Sequence, residues 1–102
     1  MKIMNLKEIS DFIVLKSLKN ISYGKIKFIN FDGNVTLLGS DNASKTATLK
    51  LNKPGVTFEI INKGSVGLAE AYMRGDIETD NLTDLIEIAA NNINKVHKFS
   101  GV

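Results

Sequence analysis

Apolar residues recur along this chain with two different periods, and the places where the period changes outline its elements. Near the N-terminus Leu6, Ile9, Phe12, Ile13 and Val14 follow helical spacing, as in an amphipathic helix. Asn5 stands in position to cap that helix, Glu8 falls where a capping box places its acidic residue, and Lys16 and Lys19 suit the negative end of the helix dipole. The spacing predicts a helix from about Leu6 to Leu18, packed through its apolar stripe on a sheet, with Lys7, Ser10, Asp11, Lys16 and Ser17 turned to water. From Gly24 the period becomes two, with Ile26 and Phe28 alternating against Lys25 and Lys27, the pattern of a strand with one wet face. Phe31-Asp32-Gly33-Asn34 then supplies the Asp-Gly signal of a hairpin, so Val35 to Leu38 is expected to pair back antiparallel. After a polar loop from Gly39 to Ser44, Ala47, Leu49 and Leu51 alternate with Thr46, Thr48 and Lys50, which reads as the third strand of an antiparallel meander.

The stretch after the single proline has two readings. Val56-Thr57-Phe58-Glu59-Ile60-Ile61 is rich in β-branched residues, which favours a strand, while Pro54 is suited to opening a helix. Gly64 and Gly67 punctuate the next segment, Leu68 to Met73 reads as a short helix, and Gly75 stands where such a helix stops. The last element is an amphipathic helix capped by Asp80 or Asn81, with Leu82, Leu85, Ile86, Ala89, Ala90 and Ile93 inward and Asp84 and Glu87 outward. Residues 1–94 thus read as one α+β domain, and residues 95–102 as a tail that leads on to something else.

Composition narrows the function more by exclusion than by pointing. A chain of 102 residues suits one core, and with 43% apolar and 24% charged residues it has the make-up of a folded domain, not a disordered one. Cysteine is absent, which removes thiol nucleophiles, thiolate metal sites and disulfides. The N-terminus lacks the pattern of a secretory signal and no apolar run reaches membrane-spanning length, so the expected location is the cytoplasm, with any membrane contact peripheral, at the inner face. Net charge is only +2, but the eight lysines of residues 1–50 face Glu8, Asp11, Asp32 and Asp41, whereas the second half is acidic. That basic half suits anionic phospholipid headgroups, although lysines on a helix and a sheet edge also serve solubility alone.

Candidate chemistry is sparse. His97, the single histidine, lies in the tail, away from any rigid nucleophile, and reads as a solvated residue. Asp76, Glu78 and Asp80 alternate, but without the glycine and terminal glutamate of a calcium loop they read as a turn and a helix cap. Gly64-Ser65-Val66-Gly67 matches the G-x-x-G loop of KH modules, yet Lys63 is the one cation beside it, Glu70 follows within a turn, and no aromatic platform accompanies it. Nucleic acid is therefore not the expected partner.

A longer segment is more specific. Gly64-Ser65-Val66-Gly67-Leu68-Ala69-Glu70-Ala71-Tyr72-Met73-Arg74-Gly75-Asp76 resembles the G-x-x-G-L-G-E-A/S-Y-M-x-G stretch near the N-terminus of cyclopropane-fatty-acyl-phospholipid synthases, S-adenosylmethionine-dependent methyltransferases that modify lipids. The preceding Lys53-Pro54-Gly55-Val56-Thr57-Phe58 and the following Thr79-Asp80-Asn81-Leu82-Thr83-Asp84-Leu85-Ile86 fit the same pattern, so the likeness runs from about Gly24 to Asn94. Ala69 stands where that family usually has glycine, and Asp76-Ile77 where it often has aromatics. The resemblance implies a helix over Pro54 to Asn62 and a fold similar to sterol carrier proteins. It also implies a non-catalytic module that binds lipid or docks a methyltransferase domain, either C-terminal or separately encoded, with a homodimer also admitted. S-adenosylmethionine, bicarbonate and the general base would belong to that partner domain, so this chain alone is expected to be inactive and to hold no cofactor or metal. Gly64, Gly67, Leu68, Glu70, Tyr72, Met73 and Gly75 carry the motif and are the candidate docking residues. For Glu70 and Tyr72 a structural role is the rival reading, with the Tyr72 ring buried and Glu70 satisfying backbone donors. Two other functions remain as alternatives: a freestanding sterol-carrier-like lipid-binding protein, and the KH-type module.

Overall fold

The computed structural model describes residues 5–19 and 21–100, with the backbone alone for Ser10, Ser17 and residues 93–100. The order of elements is α1 (Leu6–Ser17), β1 (Lys25–Ile29), β2 (Val35–Gly39), β3 (Thr46–Leu51), α2 (Val56–Arg74), β4 (Ile77–Glu78) and α3 (Leu82–Ser100). Together they make an α+β fold in which one face of a four-stranded sheet packs against helices. The hairpin forms where Asp32-Gly33 predicts it: the Asn30 and Gly33 amides donate to the Asn34 and Asn30 carbonyls, and Asp32 accepts from the Asn34 amide.

The third strand is not part of a meander. The sheet order is β2-β1-β3-β4, with β1 antiparallel to β2, parallel to β3, and β3 antiparallel to β4. The sheet is therefore mixed, and β1 is enclosed between β2 and β3. Lys25 faces Gly39 on one side and Thr46 on the other, so the loop from Ser40 to Lys45 has only to pass the end of β1. Lys25 holds that loop twice, donating its amide to the Lys45 carbonyl and its Nζ to Asp41 at 2.7 Å. Alternation along each strand is the same in either topology, which is why the pattern of residues does not separate them. In the observed register Leu38, Ile26 and Ala47 form one inward row, and Phe28 and Leu49 continue the next.

Over that face lie α2 and α3. Leu68 and Ala71 from α2, and Leu85, Ile88 and Ala89 from α3, are buried with the sheet residues. Ile88, on the covered side, is fully enclosed, and so is most of Asn92, although neither belongs to the stripe expected from spacing. The Asn92 side chain accepts from the Ser22 and Tyr23 amides and donates to the Tyr23 and Ile88 carbonyls. One buried amide thus has both its oxygen and its nitrogen engaged, and it ties the segment before β1 to α3. Backbone helix continues past residue 94 to Ser100, beyond the point where the spacing suggests a tail. The Ile93 and His97 side chains, and residues 101–102, lie outside the described residues.

The largest departure concerns α1. Its span and its Asn5 cap agree with the sequence reading, and the Glu8 amide donates to Asn5 Oδ1 at 2.9 Å. Its roll is inverted. Asp11, expected in water, is 1% exposed, whereas Leu6 is 83% and Ile13 58% exposed, with Ile9 and Phe12 also at the surface. The cause lies in α2, which begins after a glycine, Gly55, that offers no side-chain cap. Asp11 supplies that cap from another helix: Gly55 donates its amide to Oδ2 at 2.7 Å, and Thr57 donates its amide and hydroxyl to Oδ1. A buried carboxylate serving the positive end of α2 outweighs the burial of the Leu6–Ile13 stripe. Val14, Leu15 and Leu18 are the residues that α1 turns inward over the core.

Candidate functional site

The motif segment forms the second half of α2, and one residue sets its direction. The run from Val56 is helical, as the resemblance implies and β propensity does not, but Gly64 has φ 64° and ψ −143° and bends the helix there. Past the bend the chain folds close to its own preceding turn. A Cβ on Gly67 would stand 2.8 Å from Lys63 Cβ and 2.9 Å from the Glu59 carbonyl oxygen, so only glycine fits without displacement. At the far end the Gly75 amide donates to the Tyr72 carbonyl and the Asp76 amide to the Ala71 carbonyl, which stops the helix.

Between those glycines the motif divides by burial. Gly67, Leu68 and Ala71 face the core. Val66 and Met73, seven residues apart and so on one side of the helix, are 66% and 76% exposed, and Tyr72 is also at the surface. Tyr72 does not bury its ring, and its hydroxyl has no hydrogen-bond partner among the described residues. Glu70 satisfies no backbone donor among the described residues; it lies 3.6 Å from Lys63 Nζ. The structural role considered for this pair is thus not the one they play.

Along the flank of this face runs a ladder of charges. Arg74 donates to Glu59 and to Asp76, both at 2.8 Å, Lys53 stands 3.2 Å from Asp76, and Lys63 lies between Glu59 and Glu70. The Arg74 hydrogen bond, with Lys53 beside it, holds Asp76 below the usual carboxylate range, and the two carboxylates push Arg74 up. This ladder fixes both halves of α2 to the turn after Gly75.

The other candidate groups disperse. Asp76 is taken by Arg74 and Lys53, Glu78 by Lys50, and Asp80 accepts the Thr48 amide at the open edge of β3. Among the described residues no group of three or more His, Asp or Glu is placed to hold a metal ion. Gly64-Ser65-Val66-Gly67 is not a projecting loop, since helix continues on both sides of the bend, Gly67 is buried, and Lys63 is engaged by carboxylates. Between the segment before β1, the loop before β3 and α3, Tyr23 donates to Glu87 at 2.6 Å and Lys45 approaches the same oxygen at 2.9 Å. Those contacts lower the Glu87 pKa and raise those of Tyr23 and Lys45.

Between sheet and helices lies an apolar cavity of about 50 Å³, roofed by Val14, Leu15 and Leu18 and floored by Ile26, Phe28 and Leu49. No described helix is long and apolar enough to cross a membrane.

A family model described as a domain of unknown function, DUF7884, matches residues 13–100. The chain belongs to the DUF7884 family. No curated protein and no solved structure matches it. The DUF7884 match takes in the whole sheet, α2 and α3, and begins inside α1 at Ile13, so the exposed Leu6, Ile9 and Phe12 precede it.

Proposed function

We propose that this chain is a non-catalytic accessory module of a cyclopropane-fatty-acyl-phospholipid synthase-type methyltransferase, and that the outer face of α2 docks the body that binds S-adenosylmethionine. The observation that supports this reading is the division of the motif. Its Gly67, Leu68 and Ala71 face the core, while Val66, Tyr72 and Met73 are left at the surface. Exposed aromatic and methionine side chains on a rigid helix are what interface cores are made of. Glu70 and the Glu59–Arg74 ladder would form the polar rim. The partner body would hold S-adenosylmethionine, which supplies the one-carbon unit, and the present residues would position that body in the cytoplasm, on the inner face of the membrane.

A freestanding lipid carrier is the weaker reading. The apolar cavity of about 50 Å³ is roughly a third of one that holds benzene, so an acyl chain would enter only if α1 moved away.

The first test is the reading frame beyond Val102 and the genes beside it. A methyltransferase domain there is the expected result, and its absence from both would overturn the proposal. Given that body, Val66→Asp with Met73→Asp should weaken its association with this module about tenfold or more, by calorimetry, while the thermal midpoint of the module stays unchanged.

A further inference from the structure

The outer face of α1 is more apolar than the face it packs with. Leu6, Ile9, Phe12 and Ile13 all lie on the side opposite Asp11, at the surface. Phe58, also exposed, shares a shallow hollow with Leu6 and Lys7 and so extends the patch onto α2. Contiguous apolar surface of this kind marks a contact with something outside the chain.

The cations say what that contact is. Lys25, Lys45, Lys50, Lys53, Lys63 and Arg74 each meet a carboxylate within the chain. Among the described residues Lys7, Lys16, Lys19 and Lys27 have no carboxylate partner, and three of these four belong to α1 or the turn that ends it. Lys16 lies over the Phe12 ring, 5.4 Å from its centre, so an ammonium sits within the apolar stripe itself. Lys7 runs its stem along Gly55 on the Asp11 side of the helix, away from the stripe, whereas Lys19 follows the C-terminal end. A second copy of the chain is a poor occupant, because a two-fold contact through this patch would bring its lysines together. Apolar side chains beside the unneutralised Lys16 and Lys19 match the boundary between headgroups and acyl chains of an anionic bilayer.

We infer that α1 is an interfacial membrane-binding helix, lying flat on an anionic phospholipid surface with Leu6, Ile9, Phe12 and Ile13 in the acyl boundary and Lys16 and Lys19 among the headgroups. Asp11 is the positioning residue, since its bonds to the start of α2 hold the apolar stripe outward. This inference goes beyond the docking reading and does not need it, because α1 and the motif half of α2 present different surfaces.

The test is flotation of the purified chain with phosphatidylcholine vesicles with and without phosphatidylglycerol, at low and high salt, with circular dichroism to confirm the fold of each variant. The chain should float with the anionic vesicles, and high salt should release it. Phe12→Ser with Ile13→Ser should lower the partition coefficient about tenfold or more, and Lys16→Glu with Lys19→Glu about as much. Val35→Ser with Leu37→Ser, on exposed positions of β2, should leave it unchanged. Failure to float with anionic vesicles at low salt would overturn the inference, as would flotation that the α1 substitutions do not alter. It would equally fall if sedimentation of the chain shows a dimer that Phe12→Ser and Ile13→Ser dissociate, which would assign this face to a second copy.

Discussion

Gly64 and Asn92 show how unequally single residues announce their roles. Gly64 is visible in the sequence because a glycine between two helical runs needs a reason, and the structure supplies one: φ 64° with ψ −143°, a combination open essentially to glycine alone. Gly64→Ala should therefore destabilise the chain by about 1–3 kcal/mol, measured by urea unfolding, with much of the loss appearing as a straightened α2 and a displaced Gly67. Asn92 gives no such signal. On an amphipathic helix an asparagine reads as a water-facing residue, and the backbone groups it serves at Ser22 and Tyr23 lie about seventy positions away. Tyr72 misleads in the opposite sense, since an aromatic in a motif suggests burial and this one lies at the surface.

At the scale of elements, the limits of α1 follow from local chemistry and its roll does not. Capping by Asn5 and the helical spacing of apolar residues act within a few residues of each other, so the span Leu6–Ser17 is legible. The direction of its stripe depends on Asp11 and the uncapped start of α2, which meet across more than forty positions. Asp11→Ala would leave the Gly55 and Thr57 donors without their acceptor, at a cost of about 1–3 kcal/mol. The same substitution should free the roll of α1, seen as faster amide exchange along α1 while β1 and β3 stay protected. For α2 the conflict runs between propensity and context. Val56 to Ile61 would suit a strand, yet Val56 and Ile60, four apart, are both buried on one side of a helix and leave Phe58 outside, which helical period alone achieves.

Across the whole molecule, charges far apart in sequence join the elements that the strands and helices leave separate. Tyr23, Lys45 and Glu87 come from three different segments and meet at one carboxylate. Glu87 has its pKa lowered by the Tyr23 hydroxyl and by Lys45, so the stability it contributes is present above the unfolded value near ~4.3 and is lost as pH falls through the lowered folded one. Tyr23 and Lys45 are raised by the same carboxylate; their contribution holds below their unfolded values and disappears as pH rises through the folded ones. Glu87→Gln should accordingly lower the thermal midpoint at neutral pH. Its difference from the parent should close both below about pH 4 and above about pH 10, in melts followed by circular dichroism across that range.

By itself the sequence determined α1, the three longer strands, the hairpin and the start of α3, because caps, turns and hydrophobic period act over a few residues; it left the first half of α2 open between strand and helix and gave no sign of β4. It also marked the motif from Gly64 to Gly75 on which the proposed docking face rests. Tertiary structure alone decided three things. It set β1 rather than β2 beside β3 within the sheet, turned Asp11 inward and the apolar stripe of α1 outward, and separated the motif into a buried and an exposed side. Each of these is a choice between packings with the same local pattern, and it is settled by which distant donors, carboxylates and apolar surfaces are brought together when the chain closes.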